Sequence, residues 1–348
     1  MKSDLIYGIN DRPPFKDALF AAIQHLLAIF VAVITPPLII ASALKLDVET
    51  TGFLVSMALF ASGIATFVQC RRIGPVGAGL LCIQGTSFSF IGPIIAAGLT
   101  GGLPLIFGVC IAAAPIEMIV SRIFKYLQSV ITPLVSGVVV LLIGLSLIKV
   151  GVLACGGGQA ALDDGSFGSL QNVGVAASVF VTILFFNCSR NKYLRMGSIV
   201  LGLCVGYVLA FVLGMVDLNA ISASELGGLN VPIPFKYGLD FNFSSFLAFA
   251  LIYAITAIEA TGDITANSMI SGKAIEGEEY MQRVSGGVMA DGVNSMLSGI
   301  FSSFPNSIFA QNNGIIQLTG VASRYVGYYI AGILILLGLF PFVGTFFP

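Results

Sequence analysis

Four acids stand where acids are costly. Glu117, Glu259, Asp263 and Asp291 each lie inside a long apolar stretch. A charged side chain at the centre of a membrane helix costs roughly 2.5–3.5 kcal/mol on insertion scales, so each needs a reason to be there. Glu259 and Asp263 are four apart in the run from Thr256 to Asp263. That spacing puts both carboxylates on one helix face, where two such groups cannot both ionise cheaply. A pair of this kind is suited to holding and passing a proton. The alternative is helix–helix hydrogen bonding that only holds a bundle together. Asp291 has the same two readings, with Gly286, Gly287 and Asn294 beside it as signs of packing. Glu117 lies near Arg122, and a structural ion pair is expected there. His25, the only histidine, follows Gln24 in the first apolar stretch and reads as a brace for a site.

Two stretches could supply a binding surface. Gln84-Gly85-Thr86-Ser87-Phe88-Ser89-Phe90-Ile91-Gly92-Pro93 alternates polar and apolar residues and is interrupted by Gly and Pro. The run from Phe304 to Gly314 is short, polar and a poor lipid-facing helix. Irregular backbone at membrane depth is tolerated only when it is buried in protein or lines a cavity. Paired broken segments in equivalent places of two inverted halves are the best sequence pointer to a transport site.

The elements that must position these residues are membrane spans. Hydrophobic residues make up 57% of the 348 residues and charged residues 9%, with a mean hydropathy of +0.98. A soluble domain carries about 25% charged residues, so this chain cannot cover a soluble surface. Apolar stretches recur near 17–42, 51–70, 75–98, 102–121, 130–150, 172–188, 197–215, 243–268, 284–303, 305–321 and 325–346, which makes eleven spans. With the N-terminus inside, thirteen of the 16 basic residues fall in inside segments, and only Lys45, Lys149 and Lys236 fall outside. Residues 1–16 are polar, and the apolar run after them is too long for a signal peptide and lacks a cleavage site. The net charge of -1 and the absence of a basic block exclude nucleic acid as a partner. The six cysteines are scattered and there is one histidine, so no metal site or cofactor is expected.

A resemblance sharpens this reading. Gln311-Asn312-Asn313-Gly314-Ile315-Ile316-Gln317-Leu318-Thr319-Gly320 is similar to the signature motif of the nucleobase–ascorbate transporters, and Gln24-His25, Glu259 and Asp263 fit the same family. The likeness runs from Asp11-Arg12-Pro13-Pro14 to Ser323-Arg324-Tyr325 and resembles the bacterial xanthine permeases most. It implies an all-α polytopic membrane protein with seven-plus-seven inverted repeats, in which broken spans 3 and 10 carry short strands. Residues 1–126 (spans 1–4) and 243–348 (spans 8–11) would then form a core domain, and 127–242 (spans 5–7) half of a gate domain. The family pattern has three further gate spans, 12–14, and this chain stops at Pro348 after the eleventh.

The resemblance also implies a function: proton-coupled symport of an oxidised purine, most simply xanthine, by alternating access. Urate, another purine or uracil is the alternative within the same fold. Glu259 takes the role of the substrate carboxylate and Gln311 that of the substrate amide. Ser87 stands at a position linked to specificity, Asn312 lies in the motif, and Phe90 and Phe309 are candidate stacking rings. A xanthine offers N–H donors and carbonyl acceptors on flat edges; a carboxylate accepts from the former, and an amide serves both. Proton coupling is expected on Glu259, Asp263 and Asp291, with His25 in support. The bacterial inner membrane and a homodimer are likewise implied.

Two other classes fit the sequence less well. An intramembrane aspartyl protease would use Asp263 and Asp291, but such enzymes need Gly-x-Gly-Asp and Tyr-Asp, and the residues before these acids are Ala260-Thr261-Gly262 and Ala290. An anion carrier or channel is disfavoured by acidic rather than basic residues at the midplane. No enzymatic activity is expected.

Overall fold

The computed structural model describes residues 5–127, 151–191, 198–215 and 229–340, together with Val138, Leu141, Leu145, Ile148 and Leu194. Most of the fifth expected span, 130–150, lies outside the described residues, as does the end of the eleventh.

The chain opens with α1 (Phe15–Leu44) and α2 (Val48–Arg71). At 30 residues, α1 is about 45 Å long, enough to cross a bilayer at a tilt. Asp47 caps α2 by accepting from the Thr50 backbone N–H at 2.9 Å. The third expected span is not one helix. Residues 74–83 are irregular, β1 (Gln84–Thr86) follows, and a single 3₁₀ turn (Phe88–Phe90) leads into α3 (Ile91–Leu127). A kink at Gly102 (φ 67°, ψ -162°) divides α3, so its two arms make the second half of span 3 and the whole of span 4.

Beyond the undescribed stretch come the short α4 (Gly158–Asp163), then α5 (Leu170–Asn187) and α6 (Ser198–Val212). α5 and α6 pack on each other and present bare apolar side chains outward, Phe185 and Val208 among them. α7 (Phe243–Ile270) and α8 (Glu278–Ile300) correspond to spans 8 and 9. The tenth expected span divides as the third does, into β2 (Asn306–Ile308) and the nine-residue α9 (Gln311–Thr319); α10 (Arg324–Leu339) follows. Among the described residues five helices are long and apolar enough to cross a membrane: α1, α2, the 3₁₀ turn with α3, α5 and α7. α8 falls short in hydropathy, not in length. Its Asp291, Asn294, Ser295 and Ser298 all face protein rather than lipid.

β1 and β2 meet as an antiparallel two-stranded ribbon, with Gln84 opposite Ile308, Gly85 opposite Ser307 and Thr86 opposite Asn306. Antiparallel pairing sends the half-helices that follow, α3 and α9, away in opposite directions, each starting at the ribbon. α1–α3 and α7–α10 enclose it in two apolar clusters. One includes Ile29, Leu59, Leu81, Val288 and Ile330; the other gathers Phe90, Phe107, Phe249, Tyr253 and Phe304. Small residues allow close backbone approach. A Cβ on Gly286 of α8 would stand 2.6 Å from the Gly77 carbonyl oxygen, and the Gly77 N–H donates to the Gly286 oxygen at 2.8 Å.

Candidate functional site

The ribbon is built to be held. The Gln84 backbone N–H donates to Thr66 Oγ1 at 3.1 Å, and Ser62 Oγ donates to the Gln84 carbonyl oxygen, both from α2. Its side chain faces α8: Nε2 donates to Asp291 Oδ1, and Oε1 accepts from Asn294 Nδ2. Gln69 of α2 completes the cluster by donating to Asp291 Oδ1 and to the Gly287 oxygen, each at 2.9 Å, while its Oε1 accepts from the Ala78 N–H. Across the ribbon, Asn306 is tied to α8 through Ser295 and Ser298. All of these polar side chains are buried. In a dry interior each is costly unless paired, so the network fixes one position for the ribbon.

Beside the ribbon stands α7. Ala257, Ala260, Ile264 and Asn267 face inward and are buried, while Glu259 and Asp263 share a half-buried face. Ser89, just past the ribbon, donates to Glu259 Oε2 at 3.3 Å. α9 joins α7 at one end: Asn267 Nδ2 donates to Asn313 Oδ1 at 2.9 Å, and Asn313 Nδ2 donates to the Asp263 carbonyl oxygen at 3.3 Å. α1 joins α9 through His25 Nδ1, which donates to Asn312 Oδ1 at 2.9 Å within a fully buried pair. His25 Nε2 has no partner among the described residues.

The expected site residues fall into three settings. Glu259 and Asp263 are half-buried on α7, and Gln311 is exposed at the first turn of α9. Ser87 and Phe309 lie in the ribbon wall, with Ser87 Oγ buried and unpartnered. The Phe309 ring lies against Gly85, where a Cβ would come within 2.5 Å of it. Phe90, expected as a candidate stacking ring, is wholly enclosed, 4.7 Å from the Tyr253 ring and 5.6 Å from Phe249. Asp291 lies in the buried amide network behind the ribbon. The three acids thus sit in different surroundings, Glu259 and Asp263 half-buried on α7 and Asp291 fully enclosed against α2.

Glu117 departs from expectation. It makes no ion pair with Arg122, which is exposed; it is fully buried and accepts from Thr256 Oγ1 at 3.2 Å. The cause is helix phase, since α3 turns Glu117 toward α7 and Arg122 outward. The sequence marks Asn294 as a packing residue beside Asp291 but assigns nothing to Gln69 or Asn267, although an amide in an apolar stretch is itself a signal of internal bonding. Ser89 lies in the Gly- and Pro-interrupted stretch 84–93, and nothing in its spacing marks it as the partner of Glu259.

A helical bundle that buries a broken-span ribbon among apolar spans is the membrane part of a transporter. Its fold is similar to the transmembrane domain of a cyanobacterium bicarbonate transporter, BicA, with a TM-score of 0.60 over 97% of this chain and 88% of that one, at 15% identity. The Permease family matches residues 16–348, and the chain belongs to it, within the nucleobase–ascorbate transporters. The chain is 50% identical to the xanthine permeases XanQ and XanP of Escherichia coli K12, over 99% of its own length and 76% of theirs. It is 35% identical to the nucleobase transporter PlUacP of Paenibacillus larvae, over 91% of this chain and 71% of that one. It is a membrane permease and not an enzyme.

Proposed function

We propose that this permease imports xanthine together with protons by alternating access. The observation that carries the reading is Glu259, a half-buried carboxylate beside the ribbon whose one side-chain hydrogen bond among the described residues comes from the Ser89 hydroxyl. Its other oxygen is left to accept a lactam N–H. Gln311, exposed on the first turn of α9, supplies a planar donor and acceptor for a purine carbonyl and ring nitrogen. The 50% identity to two xanthine permeases supports xanthine as the purine.

The two half-helices contribute as well. α3 and α9 both start at the ribbon, so the positive ends of their dipoles lie beside the site and favour an electron-rich ligand. Protons travel on Glu259 and Asp263, with Asp291 behind the ribbon sensing its position through Gln84. His25 holds α9 through Asn312. α1–α3 with α7–α10 form the moving core, the intervening segment belongs to the gate, and the N-terminus faces the cytoplasm.

Glu259→Gln tests the assignment. The amide keeps the shape and loses the charge-assisted bond, worth about 1.5–3 kcal/mol, or roughly 10- to 100-fold in affinity. Calorimetry on purified protein should show that loss, and unchanged xanthine affinity would remove Glu259 from the site.

A further inference from the structure

We infer a second binding site, for the phosphate of an anionic phospholipid headgroup, where the N-terminal segment meets the start of α10. A pocket of about 450 Å³ opens there, lined by Arg12, Pro13, Tyr325, Tyr328 and Tyr329. Two guanidinium groups converge on one ring: Arg12 lies 4.9 Å from the centre of Tyr325 and Arg324 lies 5.7 Å from it. Neither has a carboxylate partner among the described residues. Arg324 Nε is buried and makes no hydrogen bond. The nearby acids are engaged elsewhere, since Asp11 accepts from the Gly8 N–H at 2.7 Å and Asp17 from the Tyr7 hydroxyl at 2.8 Å.

The pocket is held in place. Residues 7–12 lie along the start of α10: the Ala322 N–H donates to the Tyr7 oxygen, the Arg324 N–H to the Ile9 oxygen, and Ser323 Oγ to the Asp11 oxygen, at 2.9, 3.0 and 2.6 Å. Arg12 therefore reaches the rim from a fixed segment. Two guanidinium forks that share the Tyr325 phenol and have no carboxylate partner among the described residues match the oxygens of a phosphate diester.

A lipid fits better than free phosphate because the other walls are a proline and the rings of tyrosines. Tyr328 lies 5.4 Å from the Phe67 ring and Tyr329 lies 5.9 Å from Phe15. These rings form an aromatic shelf at the ends of α1 and α10, the level at which tyrosines meet headgroups. An acyl-glycerol can lie along that shelf while its phosphate reaches the arginines. With the N-terminus in the cytoplasm, the lipid belongs to the inner leaflet, where anionic headgroups attract basic residues.

The test is thermal unfolding and native mass spectrometry of the purified full chain in neutral detergent, titrated with short-chain phosphatidylglycerol, with phosphatidylcholine, or with inorganic phosphate. Phosphatidylglycerol should bind and raise the melting temperature, and the other two should do neither. Arg12→Gln changes an exposed residue outside the helices, so it leaves the fold intact, as elution profile and circular dichroism would verify. It should weaken phosphatidylglycerol binding about fivefold, as should Arg324→Gln. Equal lipid affinity in parent and both variants would overturn the site. Equal protection by inorganic phosphate would overturn the lipid assignment. Neither readout involves xanthine, so a failure here is separable from a failure of the transport reading.

Discussion

Gly85→Ala is the sharpest test of how the ribbon shapes the site. Gly85 sits in β1 at an ordinary backbone angle, so its role is space and not conformational freedom. A methyl group there would stand 2.5 and 2.6 Å from two atoms of the Phe309 ring and 2.9 Å from Val33 of α1. Carbon atoms rest at about 3.5–4.0 Å, so something must move by about 1 Å. The ring cannot simply retreat: Phe309 is buried and its backbone N–H is bound to the Ile83 oxygen at 2.9 Å. The strain falls on the ribbon or on α9, which begins two residues later at Gln311. Overpacking of this kind costs about 1–3 kcal/mol. Displacing Gln311 by a fraction of an ångström should cost xanthine affinity as well. Thermal unfolding in detergent and calorimetric titration with xanthine are the assays. Gly85→Ala should lower both stability and affinity, and Gly85→Ala with Phe309→Leu should recover much of the stability. A Gly85→Ala protein as stable and as tight-binding as the parent would refute the claim that the ring is trapped.

Other outcomes follow from the same geometry. Gln311→Glu should shift preference away from xanthine, because an ionised carboxylate offers a purine carbonyl no donor; competition binding with a panel of purines checks it, and an unchanged rank order counts against the role of Gln311. Asp291→Asn can still accept from Gln69 and Gln84, so the fold should persist while uptake driven by a pH gradient declines, and full gradient-driven uptake in the variant would take Asp291 out of the coupling path. Asp47, outside the membrane, is held below the ordinary carboxylate range by the Thr50 backbone N–H. Its folded value is depressed, so its stabilisation of α2 is present above the unfolded value and lost as pH falls through the folded one. Asp47→Ala should therefore lower the melting temperature at pH 7 and leave it unchanged at a pH below both values.

Much of this protein was legible without coordinates because lipid imposes a coarse and strict rule. Backbone polar groups in hydrocarbon must bond internally, so apolar runs of about 20 residues read as spans and any interruption has to be sheltered. The interruptions at 84–93 and 304–314 became the paired strands β1 and β2. The motif at Gln311–Gly320 carried the family. Spacing alone placed Glu259 and Asp263 on one face of α7, since helix periodicity is local.

What lies between elements was not local and only the tertiary structure decided it. Glu117 has Arg122 five residues away in sequence, yet its bond is to Thr256 on another helix. Asp291 resembles the other two acids in sequence, but the approach of α2 and β1 encloses it with Gln69 and Gln84. Phe90 and Phe309 are the same residue type beside equivalent strands. One is sealed against Tyr253 and the other lies across Gly85, because different helices close over the two ends of the ribbon. A residue's type and spacing determine whether it can be polar at membrane depth. The neighbour that answers it is chosen by packing between segments far apart in the chain, and sequence order carries no record of that choice.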